Sequence, residues 1–179
     1  MTNLNSTEFV VRKAKSDDTE KIAFINSDSW QTTYRDIIAQ SFLETITPEQ
    51  QLPRAKRLVE SPDLICVVAQ HRKTGEIAGF ACFGKNREPN VDADSELQAI
   101  YLLEKFQGCG IGKMLFDFGV RALKENSKTK MMVSVFEANK QARTFYERQG
   151  GMQIENDHVD LAGARYVTST YIWNLLESF

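Results

Sequence analysis

A glycine-rich stretch, Gln107 to Lys113, constrains the fold of this chain more than any other sequence feature. It follows an apolar run, Leu97 to Leu103, that has the composition of a buried strand. It opens a segment whose apolar residues recur at intervals of four, three and four: Ile111, Leu115, Phe118 and Ala122. That spacing is typical of an amphipathic helix, so the sequence predicts a strand, a glycine loop and a helix in succession.

Glycines between a strand and a helix let backbone N–H groups approach a ligand at the positive end of the helix dipole, an arrangement that binds phosphate. Two common glycine loops do not match. A P-loop needs glycine five residues before its Gly-Lys pair and Ser or Thr after it, but Gln107 and Met114 occupy those positions. A dinucleotide loop counted from Gly108 meets Lys113 where its third glycine belongs. The ligand must therefore be recognised by another phosphate-binding pattern.

The pattern that matches is Q-x-x-G-x-G, which resembles the pyrophosphate-binding loop of the GNAT family of acetyl-CoA-dependent N-acetyltransferases, Q/R-x-x-G-x-G/A. A second segment resembles the family's later motif, in which Asn-x-x-Ala opens a helix that carries Phe/Leu-Tyr and ends at glycine. Here it comprises Asn139 to Ala142 and Phe145 to Gly150, after the strand-like run Met131 to Phe136. The resemblance covers about residues 9–175 but is specific only between Glu96 and Gly150. The chain departs from the family at Gly151, where an aromatic residue usually follows.

Apolar patterns and turn residues predict the element order β-α-α-β-β-β-α-β-α-β-β, with a hairpin around Lys73-Thr74-Gly75. This order predicts a mixed α/β (α+β) domain in three layers. The resemblance implies a GNAT-like central mixed sheet, mostly antiparallel, flanked by helices. At 179 residues the chain is expected to form a single domain, 1–179.

Charge and cysteine content exclude several classes of protein. Lys+Arg 22 against Asp+Glu 24 gives a net charge of −2, which argues against broad attachment to nucleic acid. No apolar run approaches the ~20 residues of a membrane span, and the N-terminus lacks a signal pattern, so we expect no membrane partner and a cytoplasmic location. Three cysteines without C-x-x-C spacing and only two histidines predict no metal site.

The resemblance implies acetyl-CoA as the cofactor, with CoA as the product. The N–H groups from Gly108 to Lys113 would face the pyrophosphate, and the strand before the loop would present backbone groups to pantetheine, with the Leu102 N–H as donor to the thioester oxygen. Asn139 would hydrogen-bond the pantetheine arm, although it is also a favoured helix N-cap, and the two roles are compatible. The cofactor-binding residues so implied are Ile100, Tyr101, Leu102, Gln107, Gly108, Cys109, Gly110, Ile111, Gly112, Lys113, Asn139 and Tyr146.

Two residues are implied as catalytic. Tyr146 occupies the position at which the family places the general acid that protonates the CoA thiolate, although an ordinary core tyrosine remains an alternative. Glu96, fourteen residues before Gly110, matches a glutamate that several family members use as general base. Another family position for the base holds Ser134 here, which leaves Glu96, with Glu137 or His158 as alternates.

The acceptor is predicted from a weaker pattern. Trp30 and Tyr34 resemble the first helical region of bacterial enzymes similar to spermidine/spermine acetyltransferases, where it forms one wall of the acceptor site; core packing explains these aromatics equally well. Three acids, Asp92, Asp94 and Glu96, cluster just before the apolar run that precedes the glycine loop, and they would attract a cationic amine. We therefore expect direct acetyl transfer to a small primary amine such as a polyamine. A protein N-terminus or lysine as acceptor, and a non-catalytic acetyl-CoA binder, remain alternatives, and homodimers are common in the family.

Overall fold

The computed structural model describes residues 5–177. Its strands are β1 (Phe9–Lys13), β2 (Ile65–His71), β3 (Ile77–Gly84), β4 (Ser95–Leu102), β5 (Lys130–Phe136), β6 (Met152–Leu161) and β7 (Ala164–Asn174). Its helices are α1 (Thr19–Thr33), α2 (Gln40–Leu43), α3 (Pro48–Glu60), α4 (Ile111–Glu125) and α5 (Lys140–Arg148). The element order matches the sequence prediction, with α2 as an additional short helix. Among the described helices, none has the length and apolarity needed to cross a membrane.

The strands form one sheet in the order β1-β2-β3-β4-β5-β7-β6. All neighbouring strands pair antiparallel except β4 and β5, which pair parallel. The predicted hairpin is formed by β2 and β3, in which Cys66 faces Cys82. The expectation of a mixed, mostly antiparallel sheet is therefore confirmed.

Helices cover both faces of this sheet and complete three layers. On one face, α1 and α3 bury Ile22 and Leu58 against Val68 and Phe80. On the other face, α4 buries its apolar stripe, including Leu115, in a larger cluster that α5 joins. Because burial of apolar side chains drives folding, these two clusters fix the helices to the sheet. The predicted GNAT-like three-layer fold is confirmed.

The parallel pair β4 and β5 separates soon after it begins. Its register contains only Ser95 opposite Met131 and Glu96 opposite Met132. Directly beyond, the pairing of β3 with β4 shifts by one residue, so that Gln98 is left as a bulge. A bulge bends and twists its strand. The two strands consequently diverge toward their C-terminal ends, and the sheet opens between them.

The chain between α1 and α3 packs over the end of this opening. Ile38, Leu43 and Ile46 form a third apolar cluster together with Tyr34. This cluster contacts Phe136 at the end of β5, as well as Leu161 and Tyr166 of the β6–β7 hairpin. The loop after α1 is thereby attached to the part of the sheet that lies beyond the opening.

Candidate active site

A cavity of about 740 Å³ occupies the opening between β4 and β5. Its walls come from both faces of the sheet. The glycine loop and α5 contribute to the lining, as do α1, α3 and β6. Ile100 and Leu102 of β4 pack with the α4–α5 cluster, while Tyr101 between them packs with the α1–α3 cluster. The cavity therefore connects two chemically different surfaces through the sheet.

The glycine loop ends in a left-handed residue that starts α4. Gly110 is the N-cap of α4 with φ +82°, a conformation that non-glycine residues rarely adopt. No side chain in the described chain caps this helix, so the N–H groups of its first turn, Ile111 to Lys113, have no protein acceptor there. Such uncapped N–H groups at a helix N-terminus bind anions. The loop has the geometry that the sequence predicted for a phosphate group.

Gln107 braces this loop from two sides. Its Nε2 donates to the carbonyl oxygen of Leu102 at 3.2 Å, and its Oε1 accepts from Gln141 Nε2 at 2.9 Å. These bonds tie the loop to the end of β4 and to α5. Lys113 lines the cavity, but its ammonium is paired with Asp117 one helical turn later, at 2.7 Å. Gln107 thus positions the loop, and the charge of Lys113 is partly neutralised.

The edge of β4 that faces the opening carries free backbone groups. The Leu103 N–H donates to the Ala78 carbonyl on the β3 side, at 3.0 Å. Successive N–H groups of a strand point to opposite edges, so the N–H groups of Leu102 and Ile100 point toward the diverging β5. Both residues line the cavity. The Leu102 N–H is therefore directed into the opening, which is the orientation that an oxyanion donor requires.

Tyr146 is a buried tyrosine of α5 that lines the cavity. Its ring packs edge-on against Trp173 and tilted against Tyr171, with both centroids at 6.0 Å. It lines the cavity, and no hydrogen bond from its hydroxyl to another described residue is found. Burial raises the pKa of Tyr146 far above its ordinary value of about 10. The phenol consequently keeps its proton and is available as a donor.

On the other side of the opening, aromatic residues form a polar network. Trp30 Nε1 donates to the Tyr101 hydroxyl at 3.1 Å, and the Tyr34 hydroxyl interacts with both Tyr101 and the side chain of Asn139. Burial raises the pKa of Tyr34 well above its ordinary value. Asn139 also caps α5, because its Oδ1 accepts from the Ala142 N–H at 3.1 Å. The N-cap role predicted for Asn139 is confirmed.

Glu96, predicted as general base, is buried and does not line the cavity. Its carboxylate accepts two hydrogen bonds from the Arg87 guanidinium, at 2.5 and 2.9 Å, and a third from the Arg87 backbone N–H at 3.0 Å. Arg87, in contrast, does line the cavity. Both carboxylate oxygens of Glu96 are therefore already bound by Arg87, and a substrate amine could give its proton to Glu96 only after one of these bonds opens.

The other two acids of the predicted cluster are also occupied. Asp92 is paired with Lys130, and Asp94 accepts from the backbone N–H groups of Thr129 and Lys130 at 2.9 and 3.2 Å. Neither aspartate lines the cavity. These acids tie the start of β4 to the start of β5 and do not face an acceptor.

Most of the sequence-predicted site residues meet at the cavity: Trp30, Tyr34, Ile100, Tyr101, Leu102, Gln107, Gly108, Gly110, Gly112, Lys113, Asn139 and Tyr146. Glu96, Cys109 and Ile111 do not line it. Ile111 is fully buried in the core, and Cys109 packs against it. Of the alternate bases, His158 lines the cavity and Glu137 does not. Sequence reasoning missed Arg54 and Arg87, since no spacing pattern connects α3 or the loop after β3 to the motifs.

Comparison with known proteins agrees with this geometry. The model of the acetyltransferase (GNAT) family matches residues 14–151. The uncharacterised N-acetyltransferase YuaI of Bacillus subtilis (strain 168) is 34% identical over 155 residues, which cover 87% of each chain. An uncharacterised N-acetyltransferase of Lactobacillus delbrueckii subsp. lactis is 34% identical over 92 residues, covering 50% of this chain and 53% of that protein.

Two solved structures share the fold at lower identity. PaiA N-acetyltransferase from Thermoplasma acidophilum in complex with coenzyme A is 19% identical, with a TM-score of 0.66 over 90% of this chain and 97% of that one. YncA from Salmonella typhimurium with its cofactor acetyl-CoA is 17% identical, with a TM-score of 0.70 over 93% and 94%. With the matched family model and YuaI, the fold and the cavity show that the chain belongs to the GNAT family of acetyl-CoA-dependent N-acetyltransferases.

Proposed function

We propose that this enzyme transfers the acetyl group of acetyl-CoA directly to a primary amine of a small molecule. The observation that carries the proposal is one cavity that joins the uncapped N-terminus of α4 to the protonated phenol of Tyr146. Acetyl-CoA supplies an acetyl group activated as a thioester. The N–H groups of Ile111 to Lys113 bind its pyrophosphate, and the splayed edge of β4 accommodates the pantetheine arm.

Two groups act at the reacting end. The Leu102 N–H donates to the thioester carbonyl oxygen and stabilises the negative charge that develops there. Tyr146 donates its proton to the departing sulfur, because its phenol is neutral and reaches the cavity. Direct transfer requires no nucleophilic side chain. The thiol of Cys109, the cysteine of the loop, hydrogen-bonds the Gln107 carbonyl at 3.4 Å and does not line the cavity.

The amine must lose a proton before it attacks, since an alkylammonium has a pKa near 10.4. Glu96 remains the predicted base. In this arrangement Arg87 must release the carboxylate before a proton is taken, since an arginine side chain does not itself give up a proton in proteins. His158, at the cavity wall, is the alternative.

Acidic residues of the cavity wall are compatible with the polyamine acceptor that the sequence led us to expect. Glu88, Glu155 and Asp157 line the cavity and would attract a cation. The cluster on which the expectation was based does not contribute, because Asp92, Asp94 and Glu96 are paired within the protein. The cytoplasmic location, the single domain and the homodimer likewise stay predictions.

The experiment that tests this function measures CoA release from acetyl-CoA against spermidine, spermine, other small amines, amino acids, aminoglycosides and short peptides. We expect turnover with small primary amines. Turnover with peptides alone would replace the small acceptor by a protein N-terminus or lysine. Tight acetyl-CoA binding by calorimetry, without turnover of any acceptor, would favour a non-catalytic binder.

A further inference from the structure

Arg54 is an unpaired cation in the wall of the cavity. It lies on α3, is half-buried, and lines the cavity together with residues of α1. Within residues 5–177 its guanidinium makes no hydrogen bond or ion pair. The titratable groups on which its charge acts are the Tyr101 hydroxyl and the Cys82 thiol, and burial keeps both of these neutral. Its five N–H donors are therefore available to a ligand.

Three other arginines are neutralised or satisfied by the protein itself, whereas Arg148, which also lines the cavity, is exposed to solvent and has no partner among the described residues. Arg12 pairs with Asp18 at 2.7 Å, and Arg87 pairs with Glu96 at 2.5 Å. Arg143 donates to the Tyr171 hydroxyl at 3.1 Å and to two further acceptors. Removing a charged group from water without a partner is unfavourable. Among the half-buried arginines of the described chain, Arg12 and Arg143 have partners and Arg54 does not, so a bound acceptor can supply the partner that Arg54 lacks.

Tyr101 provides a second donor in the same cavity. Its oxygen accepts from Trp30 Nε1 at 3.1 Å, so its own hydroxyl hydrogen is directed away from that nitrogen and can be donated to another group. Tyr101 lines the same cavity as Arg54.

We propose that Arg54 and the hydroxyl of Tyr101 bind a carboxylate of the acceptor, so that the substrate is a primary amine that also carries a carboxyl group. The guanidinium of Arg54 matches a carboxylate monoanion, since Arg87 is already compensated by Glu96 and the remaining arginine of the lining, Arg148, is exposed to solvent. Arginine suits this role because its planar fork binds a carboxylate through two parallel hydrogen bonds. Trp30 and Tyr34 line the wall next to this subsite. The inference rests on the proposed transfer of acetyl to an amine.

The test compares acceptors that differ only in the carboxylate. Each of several α-amino and ω-amino acids is assayed against its own carboxamide, with spermidine as a further acceptor, and kcat/KM is measured by CoA release. We expect at least one acid to exceed its carboxamide by about 10-fold or more. Equal rates for every acid and its carboxamide, or a preference for spermidine over all acids, would overturn the inference.

Variants assign the preference to Arg54. Arg54→Gln is expected to lower kcat/KM for the acid about 10- to 100-fold, with the carboxamide rate and the KM for acetyl-CoA nearly unchanged. Arg54→Lys, which keeps the charge but loses the fork, should retain part of the preference. Arg57→Gln is the matched control, since Arg57 lies on the same helix, is exposed, and does not line the cavity. Equal losses for acid and carboxamide in Arg54→Gln would contradict the inference.

A binding measurement separates this inference from the proposed function. Calorimetry with CoA-loaded protein measures the affinity of the acids for wild type and for Arg54→Gln, independently of turnover. Acids that bind wild type no more tightly than the variant overturn the carboxylate subsite, even where amines are acetylated. Failure of acetyl-CoA to bind, or of every amine to be acetylated despite tight binding of the acids, instead contradicts the proposed transfer.

Discussion

Arg87 binds the carboxylate of Glu96 through both of its oxygens, with Nη2 at 2.5 Å from Oε1 and Nε at 2.9 Å from Oε2. The Glu96 side chain is only 6% exposed, whereas that of Arg87 is 55% exposed and lines the cavity. The arginine therefore stands between the carboxylate and the space where an amine would bind. This relationship makes the role of Glu96 testable, because base catalysis and ion pairing predict different outcomes for the two partners.

Glu96→Gln should lower kcat about 100-fold or more if Glu96 is the base, since general base catalysis contributes roughly 10²- to 10⁴-fold. The loss should be greatest at low pH, where the amine is mostly protonated. Arg87→Gln, which frees the carboxylate, should lower kcat less than about 10-fold. Steady-state assays of both variants and of the double variant check this. Equal losses in the two single variants, with no further loss in the double variant, would mean that the pair acts only as a structural unit.

Tyr146→Phe should lower kcat about 100-fold or more, with acetyl-CoA affinity nearly intact, because the ring remains in place and only the proton donor is lost. Calorimetry and steady-state kinetics measure the two quantities. Burial raises the pKa of Tyr146, so the wild-type phenol stays protonated through its ordinary pKa of about 10. Activity should accordingly show no decline below pH 10 from loss of this proton. Unchanged kcat in the variant would rule out Tyr146 as the donor.

Gly110→Ala should weaken acetyl-CoA binding about 10-fold and destabilise the protein by about 1 kcal/mol, since alanine is strained at positive φ. Gly110 has φ +82° at the first turn of α4. Gly163→Ala is the matched control, because Gly163 has φ +75° in the turn between β6 and β7 and does not line the cavity. Thermal unfolding should show a similar loss in both variants. An equal fall in acetyl-CoA affinity in the control would indicate a global effect.

Asp94→Asn should destabilise the protein by about 1 kcal/mol at neutral pH, since Asp94 accepts two backbone N–H groups and the Thr129 hydroxyl. Burial alone would raise the pKa of Asp94, but these donors outweigh it and lower the pKa. The stabilisation is therefore present above the unfolded pKa of about 3.9 and is lost as pH falls through the lower folded pKa. Urea unfolding at pH 7 and pH 3 measures the difference. Asp92→Asn, at an exposed ion pair, should change stability little; a pH-independent loss in Asp94→Asn would contradict the linkage.

Local patterns made the element order and the glycine loop predictable. The α4 stripe from Ile111 onward follows the helical period, and the strand Ser95–Leu102 precedes it with mostly apolar residues from Leu97 onward. The left-handed conformation of Gly110 is compatible with the residue type, because glycine adopts positive φ at little steric cost. Most residues predicted to bind the cofactor belong to these local elements, and most of them line the cavity; their binding roles stay predictions.

Contacts between residues that lie far apart in the sequence were not predictable. Nothing in the neighbourhood of Glu96 indicates that Arg87 binds it, since this pairing depends on how the loop after β3 folds back. The same holds for Arg54, which reaches the cavity only because α3 packs on the sheet. Gly151, the departure from the family pattern, is explained by Trp173 of β7: a Cβ at position 151 would lie 2.6 Å from Trp173 Cζ2. The aromatic ring is supplied by another strand.

The short register shared by β4 and β5 has a consequence for how such an enzyme changes its preference for acceptors. In the proposed function, donor and acceptor reach the reacting point from opposite sides of one sheet, and the elements that contact each are separate. Substitutions in α1 and α3 can alter which amine is accepted while α4, α5 and the glycine loop keep their contacts with the acetyl donor. The acceptor specificity can therefore change through substitutions on one face of the sheet while the residues that bind the acetyl donor on the other face stay the same.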